Sequence, residues 1–251
     1  MLLHSNEPVP WCVERETGRS RYLFLCDHAG NRIPCQLASL GLSNSDLQRH
    51  IAWDIGALAL GRALSSSLDA TLIAQPYSRL VIDCNRPPEA ADSIPLQSEA
   101  THIPGNQALA EADRDARREA IFGPYHARVE EVLRERETRG QPTWLIALHS
   151  FTPVYLQEQR PWHIGLLFNR DARLANAMAE LLRSYPHIVV GINQPYDVSD
   201  QTDYAIPRYG EALGLPHLEI EVRQDLIDTM EGQNQWARTL TAILADLVLP
   251  D

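Results

Sequence analysis

Trp144-Leu-Ile-Ala-Leu-His149-Ser150 runs five apolar or aromatic residues together and then ends on an imidazole and a hydroxyl. A short apolar run of this kind, bounded by polar residues, reads as a strand buried on both faces, as in parallel sheets. Tyr22-Leu-Phe-Leu-Cys-Asp27-His28-Ala-Gly-Asn31 has the same form, again with a histidine at its end. In open α/β sheets the ligand crevice lies beyond the carboxyl ends of the strands, so His28 and His149 are expected to face one site. Imidazole is the commonest zinc ligand, and a catalytic zinc needs three protein ligands and an open position.

Outward from these two segments, similar runs predict further strands at 70–74, 78–83, 163–168, 187–192 and 217–222. Helical patterns lie between them. Ser43-Asn-Ser-Asp46 offers caps for a helix reaching about Leu68, with Leu47, Ile51, Ile55, Leu58 and Ala59 at helical spacing. A long charged helix is expected over 107–138, bent near Gly123-Pro124; another is capped by Asp171 and ends at Ser184; the last covers 233–247. Strands alternating with helices imply an α/β fold, a three-layer α/β/α sandwich around a mixed, mostly parallel sheet. No repeat or linker interrupts the pattern, so one domain over 1–251 is expected. Two stretches of little periodicity, 86–106 and 193–203, each follow a predicted strand and read as binding loops.

Composition narrows the chemistry. The 251 residues carry a net charge of −11 and no basic cluster, which argues against a nucleic-acid partner. All 22 basic residues are arginines, so a general-base or Schiff-base lysine is excluded. No apolar window approaches the roughly 18 residues of a membrane span. The first residues lack the basic and apolar regions of an export signal, and a cytoplasmic location is expected. Cys12, Cys26, Cys35 and Cys84 have no Cys-x-x-Cys spacing and read as reduced thiols, with Cys26 and Cys84 as small core residues.

Three polar clusters carry the functional reading. At His28, Gly30 would let the backbone approach a ligand closely. Asp54, in His50-Ile-Ala-Trp-Asp54-Ile-Gly56, is the best-placed third metal ligand, because an unpaired carboxylate is costly among apolar neighbours; a helix-surface or capping acid is its other reading. Asp27 is available to support His28. Ser78-Arg-Leu-Val-Ile-Asp-Cys-Asn85-Arg86 places Arg79, Val81, Asp83 and Asn85 on one face if it is a strand. Arg86 and Asn85 then suit a substrate carboxylate, with Arg79 as a second anchor or oxyanion stabiliser; an internal Arg–Asp pair fixing a loop is the alternative. Finally, Glu219 and Glu221 share one face of His217-Leu-Glu-Ile-Glu-Val-Arg223. Two carboxylates there need a compensating metal or proton, unless the face is a solvated edge or Arg223 neutralises one of them. A glutamate beside a metal-held water is the usual base of metal-assisted amide hydrolysis.

The order of these motifs resembles the N-formylglutamate amidohydrolase family over nearly the whole chain. The matching segments are Asp27-His-Ala-Gly-Asn-Arg-Ile-Pro34, Trp53-Asp-Ile-Gly56, Ser78 to Arg86, Leu148-His-Ser150, the loop at Asn193 and Leu218 to Ile227. The resemblance implies a phosphorylase/hydrolase-like fold related to zinc carboxypeptidases and muramoyl-alanine amidases. It implies Zn2+ or another divalent metal on His28, Asp54 and His149, a carboxylate clamp at Asn85 and Arg86, and Glu221 as general base. Carboxypeptidases place the acidic ligand three residues after the first histidine; Asn31 stands there, and Asp54 takes the role. The expected substrate is a small anionic N-acyl amino acid such as N-formylglutamate, with Arg79 or Arg32 on a second carboxylate or the oxyanion. The same centre would serve a peptidase or cell-wall amidase, and a silent acyl-amino-acid binder would keep the fold without a stoichiometric metal.

Overall fold

A computed structural model of the chain describes residues 2–249. Seven strands form its main sheet: β1 (Cys12–Glu14), β2 (Tyr22–Cys26), β3 (Thr71–Ala74), β4 (Trp144–Phe151), β5 (Ile164–Leu167), β6 (Val190–Ile192) and β7 (His217–Arg223). Their order across the sheet is β1-β3-β2-β4-β7-β5-β6. The neighbours β3–β2, β2–β4, β4–β7 and β5–β6 are parallel, while β1–β3 and β7–β5 are antiparallel. The central strands β2 and β4 are buried almost throughout, which is why they read as continuous apolar runs.

Helices cover both faces. On one, Phe24, Leu72, Ile146, Leu148 and Ile220 pack with α1 (Ala57–Leu68), α4 (Arg173–Leu182) and α5 (Met230–Asp246). On the other, Leu23, Leu25, Ile73 and Leu145 pack against α3 (Gly123–Thr138), which follows α2 (Glu111–Arg117) and a π-helical turn at Arg118–Phe122. The protein is thus a three-layer α/β/α sandwich with a mixed sheet. The bend expected near Gly123-Pro124 takes the form of that π turn: Pro124 has no N–H to give the preceding turn, and the helix widens just before it. Among the described residues, no helix is long and apolar enough to cross a membrane.

Two expectations about elements fail, and both failures shape the site. The 78–83 segment is not a strand. The free edge of β3 is already occupied by β1, so no ladder is open to it. Leu80, Val81 and Ile82 are still fully buried, as a loop. Side chains replace the ladder: Asn106 Nδ2 donates to Leu80 O at 2.8 Å, and Arg117 Nη1 to Val81 O at 2.9 Å. The strand-alternation argument for Arg79, Asp83 and Asn85 therefore does not hold. The helix expected from Ser43 to Leu68 is likewise broken. Ser43 and Asp46 form a capping box on the short helix Asn44–Leu47, turns follow, and α1 starts only at Ala57. Asp54 lies in that break.

Beneath the buried loop, His126 of α3 sits in a cage of Phe122, Tyr125, Tyr204 and Tyr209. Its Nε2 donates to Cys84 O at 2.9 Å, and its Nδ1 accepts from the Tyr209 hydroxyl at 2.9 Å. The ring is therefore neutral, and burial lowers its pKa to about 3. Folded His126 binds fewer protons than unfolded His126 below the ordinary value of about 6.5, so stability falls as pH drops from there towards 3. Stability at pH 7 minus stability at pH 5, from urea unfolding, should be smaller in His126→Gln than in the wild type by about 2 kcal/mol.

Candidate active site

Strand ends and the helix break bring the site together. β2 stops at Cys26, and Asp27 and His28 leave in the following turn. Asp54 N donates to His28 O at 3.0 Å, which fixes the broken helix against that turn. β4 runs past His149 to Phe151, and Glu221 of β7 pairs in register with His149. Side chains at paired positions of parallel strands share a face, so His149, Glu221 and Glu219 point the same way. His28, Asp54 and His149 each offer a ligand atom, all within 4.8 Å of one another, and this group could hold a metal ion. They line a cavity of about 400 Å³ that also takes in Arg79, Glu219 and Glu221.

The hub is the Asp54 carboxylate. Its Oδ2 lies 2.8 Å from His149 Nδ1 and 3.3 Å from His28 Nδ1, and accepts from Ser150 N at 3.3 Å. Its Oδ1 is 3.6 Å from Arg79 Nη1. Burial alone would raise its pKa; the charge on His28 and the histidine hydrogen bonds outweigh that and hold it far below the usual carboxylate range. His28 Nε2 donates to Asp83 Oδ1 at 2.7 Å, and Asp83 Oδ2 takes Arg79 Nη2 at 2.7 Å. Both histidines thus turn Nδ1 to one carboxylate oxygen, and His28 is oriented from behind by another carboxylate. Behind His149, Asp27 Oδ2 and Glu219 Oε2 stand 3.9 and 4.0 Å from Nε2, and the Tyr125 hydroxyl donates to Asp27 Oδ1.

Glu219 and Glu221 are buried, not on a solvated edge, because β7 lies inside the sheet between β4 and β5. Arg223 pairs with Asp225 instead of with either glutamate. Burial, opposed by His149 and reinforced by Asp203, raises the Glu219 pKa to about 7. Burial also pushes Glu221 well up, opposed by His149 and reinforced by Asp54 and Glu219. Glu221 Oε2 is buried and, among the described residues, has no hydrogen-bond partner. A partnerless carboxylate oxygen facing a polar cavity is poised to take a proton.

The remaining expected residues divide. Arg79 lines the cavity, joined to Asp83 and Asp54. Asn85 and Arg86 also line it, but their polar groups fasten protein to protein. Asn85 Oδ1 accepts from Tyr204 N and Ala205 N at 3.1 Å each, while Arg86 donates to Thr202 O and pairs with Asp92 at 3.3 Å. Arg–Asp pairs of the kind the alternative expected are present at both Arg79 and Arg86. Arg32 is exposed and absent from the cavity wall; its backbone pairs with that of Pro76 and Ser78. Gly30 is required by protein, not ligand: a Cβ there would meet Pro76 O at 2.4 Å.

Other wall residues carried no signal in the sequence. Asp83 as the orienting partner of His28 was hidden by the strand reading of its segment. Tyr155 comes from a two-stranded hairpin, Val154–Tyr155 with Glu158–Gln159, whose strands are too short to show alternation. Tyr196 comes from the 193–203 loop, whose character as a binding loop was legible although its residues were not. That loop crosses the sheet at Gly165, the β5 partner of Glu221, where a Cβ would lie 2.1 Å from Gln194 O.

Fold and site together define a class: an α/β/α protein with a His–Asp–His group and a buried glutamate at the carboxyl ends of its central strands. The profile of the N-formylglutamate amidohydrolase family matches residues 20–228, and the chain belongs to that family of amidohydrolases. A crystal structure of a gene product from Agrobacterium tumefaciens is 38% identical, with a TM-score of 0.95 and 98% of each chain covered. The N-formylglutamate amidohydrolase from Ralstonia eutropha is 22% identical, with a TM-score of 0.68, covering 94% of this chain and 96% of its own. Among curated proteins, a sequence search finds no match.

Asn85 supplies the acceptor for two backbone N–H groups of the 193–205 segment. Replacing it with Ala leaves both donors unpaired, at a cost of about 1–3 kcal/mol each if they stay buried. Hydrogen exchange at Tyr204 and Ala205 should quicken in Asn85→Ala while exchange in β2 and β4 is unchanged.

Proposed function

We propose that this protein is a metal-dependent amidohydrolase that cleaves the amide of a small N-acyl amino acid, N-formyl derivatives foremost, to a carboxylate and a free amine. The observation that carries the reading is the convergence of His28, Asp54 and His149 on one point, with the partnerless Glu221 Oε2 on the same wall. The donor set suits Zn2+: two imidazole nitrogens and one carboxylate oxygen, with room for a fourth ligand from the cavity. The orienting contact from Asp83 to His28 is the kind that accompanies metal-ligating histidines. A bound zinc would supply Lewis acidity, polarising the amide carbonyl and making water more acidic.

The chain's own groups then have defined tasks. Glu221 Oε2 accepts a proton from the attacking water and returns it to the amide nitrogen as the C–N bond breaks. Its raised pKa favours the first transfer, and the nearby cationic groups, which pull that pKa down, favour the second. Arg79, braced by Asp83 and Asp54, presents its guanidinium to the developing oxyanion. Glu219, held by Asn85 Nδ2 at 3.5 Å, backs His149.

Metal analysis of the purified protein should find about one zinc or other divalent ion per chain, and Asp54→Asn should lose most of it. Amine release should be measured on N-formyl, N-acetyl and N-succinyl amino acids. In Glu221→Gln the metal should stay while kcat falls by about two to four orders of magnitude. Metal-free wild type with no release on any substrate would overturn the reading.

A further inference from the structure

The cations around the cavity are engaged with protein acids, with one exception. Arg79 is joined to Asp83 and Asp54, Arg86 to Asp92, and Arg49 to Glu99 and Asp46. Arg160 is different: among the described residues, its guanidinium has no carboxylate partner. It does not itself line the cavity but lies over two rings that do, 4.7 Å from the centroid of Tyr155 and 4.7 Å from that of Tyr196. Its Nη1 donates to the Tyr196 hydroxyl at 2.8 Å. Its backbone N donates to Pro153 O at 2.9 Å, at the base of the hairpin that carries Tyr155.

The setting suits recognition of an anion. A guanidinium between two aromatic faces keeps its plane and its edge donors fixed, so little side-chain freedom is lost when a carboxylate arrives. One donor is taken by Tyr196, and among the described residues the fork is otherwise unmatched by protein. Its charge is felt at His50 on the cavity wall. Tyr196 in turn lies close enough to Glu221 to feel its charge, on the loop that crosses Gly165, the strand partner of Glu221. An α-carboxylate sits two bonds from the amide nitrogen that Glu221 protonates, so its anchor has to lie near that glutamate.

We propose that Arg160, clamped between Tyr155 and Tyr196, is the specificity-determining residue that binds the α-carboxylate of the substrate. This rests on the hydrolytic reading above and assigns the carboxylate contact to a residue other than Asn85 or Arg86. Arg160 thus offers one cation, uncompensated among the described residues, for one carboxylate, and side-chain charge is not required. An amino acid with a neutral side chain is as good a substrate as its acidic counterpart.

The test uses the full-length, metal-loaded protein with N-formylglutamate, N-formylglutamine and the α-carboxamide of each. For the wild type, each carboxamide should show KM raised by about tenfold to a hundredfold with kcat little changed. Arg160→Gln should raise KM for the two acids by the same factor, leave KM for the carboxamides alone, and so abolish the preference for acid over amide. Arg160→Lys should restore part of that preference. A residue that only braced the two tyrosines would weaken acids and amides alike. If Arg160→Gln hydrolyses the substrates and still prefers the acids as strongly as the wild type, the assignment is overturned. If the wild type hydrolyses none of the four, the hydrolytic reading fails first and this assignment falls with it.

Discussion

One buried carboxylate organises the site. Removing a charged group from water costs several kcal/mol unless partners replace the lost solvation. Asp54, only 3% exposed, is met by two imidazoles, a backbone N–H and a guanidinium. The partners come from three separate parts of the chain: the turn after β2, the end of β4 and the buried 78–86 loop. The fold has to bring those parts together for the charge to be tolerated at all. Their meeting also leaves two imidazole nitrogens and a carboxylate oxygen aimed at one point.

A second constraint follows from the lack of lysine. Every fixed cation is an arginine, with a planar fork that prefers a carboxylate partner. Around the cavity these forks are matched to acids on neighbouring loops, so much of the charge present works as fastening. Arg86 and Asn85 tie the loop after β3 to the segment beyond β6, and Arg79 ties Asp83 to Asp54. What the fastening leaves incomplete is above all Glu221 Oε2, which has no hydrogen-bond partner among the described residues.

Most of the architecture was legible in the sequence because buried parallel strands leave an unmistakable apolar run. Trp144-Leu-Ile-Ala-Leu and Tyr22-Leu-Phe-Leu-Cys both became central strands, and His28 and His149 meet where the strand-end argument put them, with Asp54 beside them. Leu80-Val-Ile82 shows the limit of the same signal. Apolarity reports burial, and it cannot say whether the buried backbone finds a ladder or, as here, the side chains of Asn106 and Arg117. Helical spacing misled over 43–68 for a related reason: Ile51 is buried by turns as well as it would be by a helix, and the break that carries Asp54 has no periodic signature. Residues such as Tyr155, Tyr196 and Arg32 depend on loop paths, which only the assembled chain decides.

The reversed direction of β5 has a consequence for how such a protein can change. Because β5 runs against β7, its first residue lies beside Val222 and the segment entering it lies at the edge where β4 and β7 end. Residues 152–163 therefore leave the sheet and rejoin it at that same edge, contributing a wall to the cavity while carrying none of the His–Asp–His group or the glutamates. Insertions and substitutions in that excursion can reshape the cavity wall without disturbing the strand ends that hold the His–Asp–His group and the glutamates. Wall and cluster are thus separable by heredity, each on its own stretch of chain.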